Sequence, residues 1–400
     1  MLGKLRINST LWVLTFGHAM ADLYICILAA VAPGLSLFLD IPLGDLVILI
    51  GLGAVACNLA SPISGWIMLR HNLAWILWFA IPLSALPAGM GFAPGYWPLA
   101  FMIVAGGFGT GLFHPEGALA ANDASGEEAY LGVPFFMAGG AGGYAIGTLA
   151  SIWISESLGF PALWIWIIPG LVSTALLIDQ YRRRKRAHPS IVIRPRSKRI
   201  TPVNGKNLPF WLIFAMSSLF CLGNGIYINL MTSHFEIRFG PGARTMAGWI
   251  LLLTSLNGAL ASLVWSSLTN KYGFFRITLA TQLLAFPLFI AMAYPVSPWL
   301  GLAAALPLSL LAPTSVYPLT IALARNASGL TQATRTALVM GGAGLVSALG
   351  VIAAGMLVRT GFSTGLLFLS AAGCSLAAAL IAAGRIFRER RKNAAGFVLD

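Results

Sequence analysis

Twelve unbroken apolar stretches run through the chain, at about 10–38, 45–69, 73–93, 98–121, 130–155, 161–181, 209–237, 246–269, 273–293, 298–324, 333–358 and 362–386. Each is close to the roughly 20 residues that carry an α-helix across the hydrocarbon of a bilayer. Backbone amides find no water there, so only helices and closed barrels can span it. The stretches are continuous rather than alternating, which excludes a barrel and predicts an all-α membrane protein of twelve transmembrane helices. Composition agrees, since 9% of the 400 residues are charged against about 25% in a soluble domain. The first stretch is long, contains polar residues and lacks a small-residue cleavage pattern, so we expect no cleavable signal peptide.

In a soluble chain the net charge of +13 would suggest nucleic acid. Here the placement of the charges argues otherwise. If both termini are cytoplasmic, 22 of the 25 Lys and Arg fall on the cytoplasmic side, ten of them between Arg182 and Lys206, and only Arg238, Arg244 and Arg359 fall outside. That asymmetry predicts the orientation in a plasma membrane, the inner membrane of a bacterium, with multiple passes. Residues 182–208 then form a cytoplasmic polybasic linker that can also touch anionic lipid, and a nucleic-acid partner is not expected. The four cysteines all fall within spans without metal-ligand spacing, so no disulfide framework and no metal centre is expected from them.

The linker divides the chain into residues 1–181 and 209–387, six spans each, followed by a cytoplasmic tail at 388–400. The two parts resemble each other at a constant offset. DLYICIL at 22–28 lies over GIYINLM at 225–231, and FHPEGALAAND at 113–123 over VYPLTIALARN at 316–326, with Pro115 over Pro318; both offsets are 203. MAGGAGG at 137–143 lies over MGGAGL at 340–345, at 203 for the methionine and 202 for the shared GGAG. Three matches in order predict a parallel repeat of two six-helix bundles, an arrangement used by secondary transporters with the site between the halves. Gly139, Gly143 and Gly147 form a ladder of small residues that lets helices approach closely, with a gating role as the alternative reading. GAGGYA at 140–145 formally matches a dinucleotide fingerprint, but no strand precedes it, and the chain carries no phosphate-binding loop of an ATPase.

Ionisable residues inside spans are costly and mark function by default. His18 and Asp22 are one turn apart on one helix face, about 40° around the axis. Measured from the cytoplasmic end, His18 and His114 lie about 12 Å deep, Asp22 about 18 Å and Glu116 about 9 Å, so the four share one layer. His114 and Glu116 stand about 200° apart around a helix, so both face one place only if Pro115 distorts the turn. Two readings fit that pair: a proton-handling site, with His114 as relay or anchor of Glu116, or a lock on the cytoplasmic end of the fourth helix. We expect Asp22 as the leading proton carrier, tuned by His18, and Glu116 as the second. Tyr24, Asn224, Tyr227, Asn229, His234 and Tyr317 are candidate substrate contacts, with helix–helix hydrogen bonding as the alternative for Asn224, Asn229 and His234. Glu236 is expected to pair with Arg238 at the outer end of the seventh span. No Lys or Arg lies deep in any predicted span, which argues against a strongly anionic substrate.

GHAMADLYICILAAVAPGL, GFGTGLFHPEGALAANDASG and FFMAGGAGGYAIG resemble the first, fourth and fifth spans of the fosmidomycin-resistance branch of the major facilitator superfamily, and the Phe-His-Pro-Glu run at 113–116 is characteristic of that branch. SHFEIRFG at 233–240 is a fainter match. The resemblance implies the major facilitator fold, two bundles rocking about a central cavity, and proton-driven efflux of small amphipathic molecules or drugs by an antiporter. Two loops depart from the superfamily pattern Gly-x-x-x-Asp-Arg. Residues 65–70 read GWIMLR, ending in Arg70 without the acid, and 266–273 read SSLTNKYG, with Asn270 before Lys271. Those basic residues belong to the expected gating elements together with Pro115 and Pro318. The absence of cavity cations speaks against phosphonate antibiotics as cargo. Rival readings are an uptake carrier for a metabolite or metal ion, and a non-transporting receptor or scaffold. The expected partners are a small-molecule substrate, protons and the lipid bilayer. The protein is expected to be a monomer without cofactor or enzymatic activity.

Overall fold

The computed structural model describes residues 9–68, 75–125, 129–187, 208–325 and 327–394. It divides into two compact units, Met1–Thr201 and Pro202–Asp400. The first contains α1 (Ser9–Leu39), α2 (Leu43–Met68), α3 (Ile76–Ser84), α4 (Tyr96–Ser125), α5 (Ala129–Leu158) and α6 (Ile167–Ala187). The second contains α7 (Phe210–Phe239), α8 (Arg244–Tyr272), α9 (Phe274–Ala293), α10 (Pro298–Leu311), α11 (Pro313–Arg325), α12 (Gln332–Ala337), α13 (Ala343–Arg359) and α14 (Thr364–Ala394). Among the described residues, strand geometry is confined to an isolated parallel bridge between Pro209 and Ser328. Arg70 and most of the polybasic linker lie outside the described residues, and α6 carries its helix through Arg182 to Ala187, past the predicted boundary.

Among the described residues, eleven stretches are long and apolar enough to cross a bilayer, and the twelfth, Ile76–Phe92, is shorter. It is the predicted third span, split into α3 and a 3-10 turn at Leu86–Phe92. The sequence LPAGMGF explains the split, because Pro87 has no amide to donate and two glycines weaken any continuing α-turn. Gly91 packs directly against the Phe160 backbone, where a second 3-10 turn, Phe160–Trp166, starts the sixth span. The tenth span breaks at Ala312, before Pro313, into α10 and α11. The eleventh contains a π-turn at Leu338–Gly342, inside which the repeat offset falls from 203 to 202.

Within the first unit α1 packs most extensively against α5. The glycine ladder is the reason. A Cβ on Gly139 would collide with the Thr15 backbone, on Gly143 with the Ala19 carbonyl, and on Gly147 with Leu23. Residues 15, 19 and 23 are themselves one turn apart, so the two ladders mesh rung by rung.

Pro115 sits inside α4 without ending it. Proline cannot donate to the carbonyl four residues earlier, which is that of Gly111. Ser61 of α2 supplies a donor in its place, its hydroxyl lying 2.9 Å from the Gly111 oxygen and, less closely, 3.1 Å from the Cys57 carbonyl of its own helix. Side-chain rescue of this kind is what lets a proline stay helical in hydrocarbon.

Candidate functional site

Asp22 lies mid-way along α1, and its two carboxylate oxygens have different partners. Oδ1 is 2.9 Å from His114 Nε2 on α4, and Oδ2 is 3.4 Å from His18 Nε2 one turn below on α1. His18 is fixed on its other side, with Nδ1 2.8 Å from the Phe136 carbonyl of α5. Its ring stacks on Phe136 with centroids 4.2 Å apart and meets His114 edge-on at 5.1 Å. Only 2% of the His18 side chain is exposed, against 22% for Asp22 and 32% for His114. One face of this cluster is therefore dry and rigid, and the other is reachable.

Three helices converge on this point because each supplies what the others lack. The α1 ladder brings α5 close enough for a backbone carbonyl to reach His18. On α5 the residue opposite is Gly140, where a Cβ would meet the Asp22 carboxylate and come within 2.7 Å of His18 Nε2. A side chain of any size is excluded there. Thr110 of α4 ties that helix to α1 through the Ala21 carbonyl at 3.2 Å, one residue before Asp22.

Chemically the cluster is a carboxylate flanked by two imidazoles, able to accept, hold and release a proton within hydrogen-bond reach. Its three donor atoms lie within 4.8 Å of one another, a set that a divalent transition metal could also use.

Of the four residues expected in the layer, the structure brings three together. His114 bonds Asp22 rather than Glu116. Glu116, two positions along an unbroken helix, is buried at 3% exposure on a different side of α4. The expected pairing of His114 with Glu116 required a distorted turn, and α4 runs through Pro115 as continuous helix.

The six residues considered as substrate contacts fall mostly into internal partnerships. Tyr24 is buried and donates to the Trp166 carbonyl at 2.7 Å. Tyr227 is buried with its hydroxyl 3.3 Å from Thr254 Oγ1. His234 is bonded at both ring nitrogens, to Thr364 Oγ1 at 2.8 Å and the Met292 carbonyl at 3.0 Å. Asn229 donates to Gly225, a bond within its own helix, and Tyr317 to the Val339 carbonyl. Asn224 differs, because its Oδ1 is buried without a hydrogen-bond partner. Glu236 forms a two-pronged ion pair with Arg244 rather than with Arg238, which instead donates to the Pro295 carbonyl at 2.6 Å. Of the expected gating residues, Lys271 is exposed at the end of α8 with its ammonium 5.2 Å from the Tyr272 ring, and Pro318 lies inside α11.

Sequence reasoning missed Gly140, Ser61 and the Phe136 carbonyl. Gly140 had a visible signal, since it sits beside the ladder in GGAGG; a backbone carbonyl has none.

A model of the Major Facilitator Superfamily matches residues 11–312. An uncharacterized MFS-type transporter of Bacillus subtilis (strain 168), YfnC, is 28% identical over 156 residues, which span 38% of this chain and 38% of that protein. The match thus covers well under two thirds of the relative's length. Among solved structures, the nucleoside transporter NupG superimposes with a TM-score of 0.70 at 14% identity, covering 94% of this chain and 99% of the other. A peptide transporter, POT, in complex with alafosfalin gives 0.69 at 14% identity, covering 94% of both chains. A bacterial homolog to the human lysosomal transporter Spinster, inward-facing and unoccupied, gives 0.66 at 14% identity, again over 94% of each. At such identity the likeness is one of fold.

Proposed function

The chain belongs to the major facilitator superfamily, and from that premise we propose that this secondary transporter of the plasma membrane exports a small amphipathic molecule or drug in exchange for protons. The observation that carries the proposal is the contact of Asp22 with two imidazoles inside the first unit. An acid within a membrane span costs a few kcal/mol, which marks it as a functional residue by default. An acid with one sheltered and one reachable histidine suits a group that loads a proton in one access state and releases it in the other. Export is supported by the resemblance of the Phe-His-Pro-Glu run, and an uncharged or cationic cargo by the lack of Lys and Arg deep in the apolar stretches.

A thermal-shift screen of the purified protein at two pH values supplies a ligand whose gradient-driven transport can be followed in vesicles. Asp22→Asn keeps size and hydrogen bonding but carries no proton. It is expected to bind that ligand and to lose gradient-driven transport by about tenfold or more, the scale of a typical coupling energy. Glu116→Gln is expected to transport with its proton dependence intact. The proposal fails if both variants keep proton dependence, or if transport follows a metal gradient instead.

The 22 to 3 division of basic residues supports cytoplasmic termini and linker. Reporter fusions after Arg199 and at the carboxyl terminus are expected to read as inside. An outside reading at either position overturns that orientation.

A further inference from the structure

We propose that a proton taken up by the cluster is held at one defined place, between Asp22 Oδ2 and His18 Nε2. The inference deepens the proton reading of the same site and names where the proton resides.

The argument begins at the Phe136 carbonyl. A carbonyl oxygen only accepts, so His18 Nδ1, 2.8 Å away, carries the hydrogen of that bond. A neutral imidazole has one N–H, which leaves a lone pair on Nε2. That bare nitrogen stands 3.4 Å from Asp22 Oδ2, while Oδ1 accepts from His114 at 2.9 Å. A bare nitrogen close to a carboxylate oxygen is repulsive until a hydrogen lies between them. One added proton converts the repulsion into a charge-assisted hydrogen bond, whose usual length of about 2.7–2.9 Å requires the two atoms to draw together.

His18 cannot escape the arrangement by turning. Its ring is stacked on Phe136 and is only 2% exposed, and the Gly140 backbone lies directly against it. Holding the second nitrogen on a backbone carbonyl is a general way to fix which ring nitrogen faces a reactive partner. His114 is the opposite case, partly exposed and joined to Asp22 by its Nε2, and Asp22 is itself partly exposed, so the cluster exchanges with its surroundings on that side. Among the described residues, the charged or titratable groups that face His18 are Asp22 and His114. Around those two stand Cys26 on α1, Tyr144 on α5 and Cys57 on α2. No other carboxylate or basic side chain is among them.

The test is solid-state nitrogen NMR of the full chain in lipid bilayers, with histidine rings labelled in nitrogen and phenylalanine carbonyls in carbon, and no ligand added. At alkaline pH one histidine is expected to be protonated at Nδ1 and bare at Nε2, its Nδ1 dipolar-coupled to a phenylalanine carbonyl carbon. His18→Gln removes that signal, and the carbonyl coupling in the unaltered protein identifies it even if the variant does not fold. On acidification Nε2 is expected to gain a proton in the unaltered protein and to stay bare in Asp22→Asn. A His18 that carries its hydrogen on Nε2 at alkaline pH overturns the proposal. So does an acid response that survives in Asp22→Asn, or a bare Nε2 whose shift changes when a chelator is added. None of these readouts involves transport. If Asp22→Asn transports with intact proton dependence while the spectra come out as expected, the coupling reading falls and the proton's place stands. If Asp22→Asn uncouples transport but His18 has the other tautomer, only the present inference falls.

Discussion

The two units hold a tyrosine at matching positions, Tyr24 and Tyr227, 203 residues apart; both are buried and both use their hydroxyls inside the bundle. Two residues before each tyrosine the likeness ends. Asp22 in the first unit corresponds to Gly225 in the second, whose open space is occupied by Ser347, bonded to the Cys221 carbonyl at 2.8 Å. His114 corresponds to Tyr317, which donates to a backbone carbonyl, and Glu116 to Leu319, which packs in a core with Met216 and Phe220. The matched positions keep residues that pack and not residues that titrate. Small and aromatic residues can hold a bundle's shape, while a membrane-buried carboxylate, costly wherever it stands, is carried at these positions by the first unit alone.

Exchanging residues between the copies tests how far this division goes. The largest effect is expected from Gly143→Leu, which imports Leu345 of the second unit. Any Cβ at Gly143 lies on the Ala19 backbone of α1, and backbone cannot yield as a side chain would. Forced overpacking costs about 1–3 kcal/mol or more, so the variant is expected to lose most of its folded yield in size-exclusion profiles. Gly142→Ala, facing open space, should match the unaltered protein. Equal behaviour of the two would mean that the ladder does not hold α1 to α5.

A smaller effect is expected at Ser61, which corresponds to Val264 in the second unit. Ser61→Ala leaves the Gly111 carbonyl without its donor and is expected to cost about 0.6–1.7 kcal/mol, the range for hydrogen bonds between membrane helices. In a Pro115→Ala background the helix regains its own amide donor, and the same change should cost much less. A double-mutant cycle in a denaturation assay measures the difference. Additive costs would show that the serine and the proline are unrelated.

The smallest effect separates the two tyrosines. Tyr24→Phe removes a 2.7 Å bond to a backbone carbonyl and is expected to cost about 1 kcal/mol. Tyr227→Phe removes a 3.3 Å contact with Thr254, whose hydroxyl already donates to the Ile250 carbonyl, and should cost less than about 0.5 kcal/mol. Thermal midpoints of the two variants decide it, and the reverse ranking would break the account of their partners.

Much of the architecture was legible because a membrane restricts what an apolar run can become. The spans, the glycine ladder and the common depth of His18, Asp22 and His114 all follow from composition and helical rise. What lay hidden was rotational. Depth says which residues share a layer but not which side of α4 faces α1, so the sequence does not show that His114 meets Asp22 on another helix. The same limit applies to Tyr24, His234 and Tyr317, which read as polar groups available to a cargo. Their partners include the carbonyls of Trp166, Met292 and Val339, and a backbone oxygen is identical at every position of a sequence. The breaks at Leu86–Phe92 and at Ala312 were signalled by Pro87 and Pro313, but proline also sits unbroken inside α4, so the residue type alone does not decide between a break and a rescued helix.

The bond from Ser61 to Gly111 also bears on how such a chain is assembled. Entering the bilayer alone, α4 would carry an unanswered carbonyl into hydrocarbon at a cost of several kcal/mol. Its donor lies 50 residues upstream. Translation runs from the amino terminus, so α2 is made before Pro115. A proline whose rescuer lay downstream would have to wait, exposed, for a helix not yet synthesised; here the debt of the later helix is met by the earlier one at the moment of docking.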